Sequence, residues 1–421
     1  MKIAFLSSID LAHAEKIYRE NPSLKNKSSE EQMEFIRWHA LSSYVRWFEL
    51  LEQKGFATCA FNHNLPEVAL AWAKENKFEP KSIDIIHEIG LEKIKQFKPD
   101  VIFSFAPLTY LKNNFLGELI GSLRKKPRLI AWYGANCGDE EMFRFFDLTL
   151  SNSKHLVNRL KAKDIQSEFL QHSFDPIILE KIKPPQTRIN RATFFGNLDL
   201  TSDDFSNRTK LLQEISRHTK LLDVYGVAPK PTWKERSKFY LLEKRRNISD
   251  ITSHIIPIQK IRSWADITKM PPSPWTFPKE FSESINKPLF GHEMLEKLSS
   301  YSVALNYHNE QTGDYACNMR LFEATGLGCA LLTDSKKDLS EYFDIDSEIL
   351  TYSSKDVAIE KINYLKENPN KAEQIRIAGQ LRCLKNHTTQ NQIARLSEIL
   401  NKLHRIKNDK TSSRQAELTP D

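Results

Sequence analysis

Residues 317–334 read CNMRLFEATGLGCALLTD. Asn318, Arg320 and Glu323 stand close together, ahead of two glycines and an apolar run of strand length. A helix that only fills a core has no use for such a polar cluster at its start. The spacing predicts a helix from about Asn318 to Gly326, opening after a polar loop, HNEQTGDYAC, that follows the strand-like SVALNY. A helix N-terminus at the carboxyl end of a strand offers free backbone N–H groups and the positive end of the dipole, which attract phosphate. Arg320 adds a fork of donors suited to a diphosphate oxygen. Glu323, one turn on, can accept hydrogen bonds from vicinal hydroxyls such as those of a ribose. By spacing alone, Arg320 and Glu323 are equally well placed for a surface i, i+3 ion pair worth a few tenths of a kcal/mol.

Outward from this stretch the chain alternates strand and helix signals. In the first half, KIAFLSS leads to the helix-spaced SYVRWFELLEQKGFA, then GLEKIKQFKPDVIFSF, KKPRLIAWYGA and RFFDLTLSNS. A polar stretch with Pro184 and Pro185, KIKPPQTRINR, reads as a hinge. Beyond it come ATFFGNL, NRTKLLQEISRH, LLDVYG and HEMLEKLSSYSVALNYH, then the opening stretch, SEILTYSS and KDVAIEKINYLKEN. Such alternation predicts parallel βαβ units with both sheet faces covered. The expected fold class is α/β, with two Rossmann-like, doubly wound domains at 1–180 and 190–387 and their ligand at the carboxyl ends of the strands, in the cleft between the halves. An insertion at about 227–287 carries Trp233, Trp264 and Trp275, whose aromatic rings suit local packing or an acceptor. TTQNQIARLSEILNKLHRI predicts a long helix at 388–407, and the polar residues 408–421 read as a disordered tail.

Composition limits the function classes. The chain has 421 residues, 40% hydrophobic and 27% charged, which is globular and long enough for two domains of roughly 200 residues. No apolar stretch reaches the ~18 residues of a membrane helix, and MKIAFLSSID is too short in apolar residues for a signal peptide. Cys59, Cys137, Cys317, Cys329 and Cys383 are scattered and odd in number, so reduced thiols are expected and not disulfides or a zinc site. These features point to a cytoplasmic protein. The net charge of +7 is small and spread along the chain, and no nucleic-acid-binding module is visible, so a nucleic-acid partner is not expected. The densest basic run, Lys230 to Arg246, reads as a solvated helix face and is also suited to an anionic membrane surface, such as the inner face of the membrane.

The stretch NMRLFEATGLGCALLTD resembles the donor-site signature of GT-B glycosyltransferases of the group 1 type, and more closely that of their spore-maturation (CgeB-like) branch. LQHSFDPIIL, FFGN with NRTKLL, KPLFGHEML, LNYH and SEILTYSS extend the resemblance over about residues 168–400. It implies the GT-B arrangement: an acceptor-binding first domain, a nucleotide-sugar-binding second domain and a C-terminal crossover helix. By the same resemblance, Glu323 holds the nucleotide ribose, Arg320 and Asn318 line the diphosphate, Gly196 and Asn197 form the glycine loop near the phosphates, and Gly291 lies near the base. Arg320 and Glu323 are the expected catalytic pair, with Arg208 as a further donor-site cation. One departure stands out. Tyr315 occupies the position where the broader group often carries a second glutamate, so the donor sugar's hydroxyls would fall to Asp314, the backbone around it, or His308.

The implied reaction moves a sugar from a nucleotide-diphosphate sugar to an acceptor hydroxyl of a glycan or lipid-linked molecule, as in polysaccharide biosynthesis. Retention of configuration is the group's habit; for inversion, Asp139 or His172 would be the candidate base. Cations and the helix terminus can supply the charge that the leaving diphosphate needs, so neither a metal nor another cofactor is expected. Two alternatives fit the same residues: a nucleotide-sugar 2-epimerase of the same fold, and a non-catalytic nucleotide-sugar-binding protein.

Overall fold

The computed structural model describes residues 1–9, 11–40, 46–134, 139–198, 200, 206–227, 233–234, 237, 240, 277–308 and 310–416. Trp264, Trp275 and all but a few residues of the basic run Lys230 to Arg246 lie outside them.

The apolar runs form two six-stranded, wholly parallel sheets. The first contains β1 (Lys2–Ser7), β2 (Ala57–Asn62), β3 (Val101–Ser104), β4 (Arg128–Trp132), β5 (Leu148–Ser151) and β6 (Ser167–Phe169), in the order β2-β1-β3-β4-β5-β6. The second contains β7 (Ile189–Asn197), β8 (Leu222–Val227), β9 (Ile285–Asn286), β10 (Tyr301–Asn306), β11 (Ala330–Asp334) and β12 (Leu350–Tyr352), in the order β12-β11-β10-β7-β8-β9. The central strands are apolar at nearly every position because helices cover both faces.

Strand order fixes where each sheet can hold a ligand. The second sheet starts at β7, winds one way through β8 and β9, then returns to lay β10 on the other side of β7. The crevice at such a reversal opens at the carboxyl ends of the two strands, here after Asn197 and Asn306. In the first sheet the equivalent reversal lies between β1 and β3.

The chain passes between the halves twice, side by side. Phe174 N–H donates to His387 O at 2.9 Å, and Thr389 N–H donates back to Phe174 O at 2.9 Å. The Phe174 ring packs so closely on the helix Arg320–Gly326 that a Cβ at Gly326 would stand 2.3 Å from it. This close approach accounts for the first glycine of EATGLG. The second, Gly328, turns the chain into β11 with φ +70, which glycine adopts without strain.

After the second passage the helix Thr389–Ala416 returns to the first half. Its Ile393, Leu396, Ile399 and Leu400 join Ile3, Phe5, Trp47 and Phe103 in one buried cluster. The tail differs from the expectation of disorder from residue 408: the helix continues to Ala416, and the last five residues lie outside the described set. Extending an existing helix adds one hydrogen bond per residue with no new nucleation cost, and these residues contain no Gly or Pro to end it.

This docking predicts that Leu396→Ala, at a side chain with no exposure, destabilises the protein by about 2–5 kcal/mol. Urea denaturation of the two proteins measures the difference; an unchanged midpoint would contradict a core role for the helix.

Candidate functional site

At the carboxyl end of β7, Gly196 and Asn197 meet an arginine from the following helix, Ser206–His218. Arg208 reaches back so that its guanidinium donates to Asn197 O and lies over the Phe194 ring, 5.4 Å from its centroid. Burial pulls its pKa down to about 10, against the opposing charges of Glu310 and Tyr307. Glu310 is in turn held by Asn207 Nδ2 (2.8 Å) and the Tyr307 hydroxyl (3.0 Å). The reversal point between β7 and β10 is thus spanned by a polar network.

Across it stands the opening stretch. Arg320 and Glu323 form an ion pair of 2.5 Å, as the i, i+3 spacing allows, but it is not a surface pair: their side chains are only 15% and 10% exposed. Arg320 is boxed in by Met294 Sδ at 3.4 Å and by the Phe195 ring, whose centroid is 5.6 Å away. Phe195 itself stacks on Tyr225 at 4.7 Å. The neighbour of Gly196 on β7 therefore forms the wall behind Arg320.

Asn318 is held at the helix start by hydrogen bonds of its side chain. Its Oδ1 accepts from Arg320 N–H (2.9 Å), and its Nδ2 donates to Asn306 Oδ1 (2.8 Å), fastening the helix start to the end of β10. Leu321 N–H goes to Asn318 O, while Phe322 and Glu323 N–H go to Met319 O. The free backbone donors expected at this helix start are consumed by a side-chain cap and a tight first turn.

His308 follows β10 and is fully buried. Its backbone N–H and its Nδ1 each lie 2.8 Å from Asp334 Oδ1 at the end of β11. Its Nε2 is buried and has no partner among the described residues. Burial works to raise the Asp334 carboxyl, but the hydrogen bonds and charge of His308, with Lys336, outweigh it and hold it below the usual range. Lys336 also donates to Gly313 O at 2.8 Å.

The structure brings Gly196, Asn197, Arg208, His308, Asn318, Arg320 and Glu323 around one reversal point, with Gly291 opening the helix that supplies Met294. Asp314 is not drawn in. Its side chain is exposed and paired with Lys337 at 2.5 Å, which lowers its pKa. Tyr315 lies half-buried on the same loop, its N–H on Thr312 O. Asp139 is exposed and accepts from Glu141 N–H. His172 is buried beside Trp132.

Four groups escape sequence reasoning: Asn306, Tyr307, Glu310 and Asp334. Their one local signal is a polar residue closing an apolar strand, as in LNYH and LLTD. From the first half, Asn152 Nδ2 donates to Cys317 O (2.7 Å), the His155 ring lies against Gly313, and Lys16 pairs with Glu293 (2.7 Å). His13 faces Phe290 with ring centroids 6.2 Å apart. These contacts close the loop and the helix Gly291–Ser299 against the first sheet.

Beneath the site, burial alone pulls the His172 pKa from 6.5 to about 3. The unfolded chain then binds one more proton than the folded chain between those values, so this histidine's contribution is full above pH 6.5 and is lost as pH falls toward 3. Urea midpoints followed from pH 7 to 4 should fall less steeply for His172→Phe than for wild type. Equal slopes would contradict a buried neutral imidazole.

Comparison with known proteins agrees with the geometry. Residues 210–398 match the family described as glycosyl transferase-like. No curated protein sequence matches the chain. Among solved structures, an alpha-glucosyltransferase in complex with UDP-glucose and DNA containing an abasic site aligns at 12% identity with a TM-score of 0.57, covering 95% of this chain and 99% of the other. Sucrose-phosphate synthase from Thermosynechococcus elongatus aligns at 10% identity and 0.52, covering 96% and 100%. HepE from Anabaena, in complex with UDP-glucose, aligns at 11% and 0.51, again over 96% and 100%. The two sheets with their helices thus form the fold of GT-B glycosyltransferases. No helix among the described residues is long and apolar enough to cross a membrane.

Proposed function

We propose that this chain is a glycosyltransferase that moves a sugar from a nucleoside-diphosphate sugar to the hydroxyl of a glycan or lipid-linked acceptor. The observation that carries the reading is the desolvated Arg320–Glu323 pair at the reversal point of the second sheet, inside the segment that matches the glycosyl transferase-like family. The neighbours that contain UDP-glucose support a donor of that chemical class.

The roles follow from the side chains present. Glu323 accepts hydrogen bonds from the two ribose hydroxyls. Arg320, paired with it in the free protein, turns from it to the diphosphate. Arg208 and Lys336 stand on either side of the reversal point and add positive charge. When the sugar–oxygen bond breaks, negative charge grows on the diphosphate, and fixed cations in a partly dry site stabilise that change more than they stabilise bound donor. In this reading the three cations supply the charge that a divalent ion would otherwise bring. His308 Nε2, buried without a partner among the described residues, meets a hydroxyl of the donor sugar, the task that Tyr315 cannot perform as a carboxylate would. The acceptor enters from the first half, whose Asn152 and His155 already touch the loop 310–317.

The two charges are separable by experiment. Glu323→Gln keeps the shape and weakens the ribose contacts, lowering donor affinity by about tenfold to a hundredfold. Arg320→Ala lowers turnover more than donor binding, because its charge matters most as the diphosphate departs. Donor binding by calorimetry and acceptor-dependent release of nucleoside diphosphate measure both quantities. Wild-type values for both variants would overturn the reading; nucleotide release independent of acceptor would indicate another reaction of the same donor.

A further inference from the structure

The loop 310–317 runs from the polar network at Glu310 to the helix that carries Arg320 and Glu323, so its path shapes the candidate donor site. Its end is held by a carboxylate from beyond β11: Asp338 Oδ1 accepts from Ala316 N–H at 2.7 Å. Asp338 stands at the N-cap position of the helix Leu339–Tyr342, yet its side chain makes no capping hydrogen bond there. Its other oxygen accepts from the Tyr342 hydroxyl (3.1 Å) and faces Lys154 Nζ at 3.2 Å.

Lys154 belongs to the first half. It opens the helix Lys154–Ala162, which follows β5. Its ammonium lies between one ring from each half, Phe169 at 5.4 Å and Tyr342 at 5.3 Å, and pairs also with Glu341 at 2.6 Å. The two carboxylates are not equivalent. The Glu341 side chain is 61% exposed and is screened by water, whereas that of Asp338 is only 2% exposed. Among the described residues Lys154 is the one cation within ion-pair distance of Asp338. Burial works to lower the Lys154 pKa, but Glu341 and Asp338 outweigh it and raise it above the ordinary range.

The neighbours of Lys154 bear on the same loop. Asn152 Nδ2 donates to Cys317 O, and a Cβ at Gly313 would stand 2.9 Å from His155 Nδ1. Taking away one partner of a buried ion pair leaves the other charge uncompensated. Without Lys154, the Asp338 carboxylate regains hydration only by moving, and it carries the Ala316 N–H contact with it.

We infer that Lys154 is a positioning residue for sugar transfer: from the first half, and through Asp338, it sets the path of the loop 310–317 and so completes the site for the transferred sugar. This rests on the donor placement proposed above and adds a part for the first half in holding the donor itself.

Full-length protein is titrated by calorimetry with UDP-glucose, GDP-mannose and dTDP-glucose, and the one that wild type binds most tightly is compared with its own nucleoside diphosphate in each variant. Lys154→Met should raise the Kd of the nucleotide-sugar about tenfold and that of the diphosphate by less than about twofold, since the diphosphate and ribose are met by Arg320 and Glu323. Lys154→Arg keeps a charge within reach of Asp338 and should restore binding. Glu341→Gln should leave both ligands unaffected. Adding Asp338→Asn to Lys154→Met should cost nothing further, because both changes act on one pair. A structural role alone would weaken both ligands together, with no rescue by arginine. Such equal weakening, unchanged Kd values in Lys154→Met, or a wild type that binds the diphosphates and none of the sugar forms would overturn the inference. A wild type that binds none of these nucleotides would instead overturn the donor site on which it rests.

Discussion

Two opposite charges withdrawn from water, Arg320 and Glu323, set the terms for the rest of the second half. A buried ion pair recovers little stability, since the cost of desolvating each charge rivals their attraction. Here the pair is walled by Phe195 and Met294, and the helix that carries it is anchored through Asn318 to Asn306. Replacing a buried ion pair by well-packed apolar residues is often neutral for stability, so this pair is weak evidence of a purely structural role. That arrangement makes sense where a ligand with hydroxyls and negative charge is to be received.

The same demand explains how the halves are joined. The two passages at Phe174 and Thr389 are knit by backbone hydrogen bonds and by Gln392, which accepts from Trp47 Nε1 and from the Ser173 hydroxyl. Around this joint the interface is polar: Asn152 to Cys317 O, Lys16 to Glu293, and Lys154 to Glu341 at 2.6 Å. Solvent-facing ion pairs such as Lys16–Glu293 contribute little each to stability. The apolar docking of the C-terminal helix holds the halves together.

The architecture was legible because apolar runs alternate with helical spacing along both halves, and the reversal of strand order follows once the strands are placed. Glu323, Arg320 and Gly196 were legible because their residue types are odd for a helix start and a strand end. Other parts were not. The cap of Asn318 on Arg320 N–H and its bond to Asn306 are invisible in the sequence, since capping and ligand binding use the same atoms. Asp314 reads as a substitute acid, yet Lys337, 23 residues on, neutralises it at the surface. His308 meets Asp334 and Asn152 meets Cys317 only through tertiary structure, which local sequence does not encode. Past residue 408 a polar composition that reads as a tail coincides with the continuation of a helix already nucleated.

The most direct test of the account is a double-mutant cycle on Arg320 and Glu323, measured by urea denaturation without nucleotide and again at saturating nucleoside diphosphate. If Arg320 turns from Glu323 to the diphosphate while Glu323 turns to the ribose, the favourable coupling of the free protein should shrink markedly when nucleotide is bound. Coupling of the same size in both states would mean that the pair is structural alone, and would contradict the donor site.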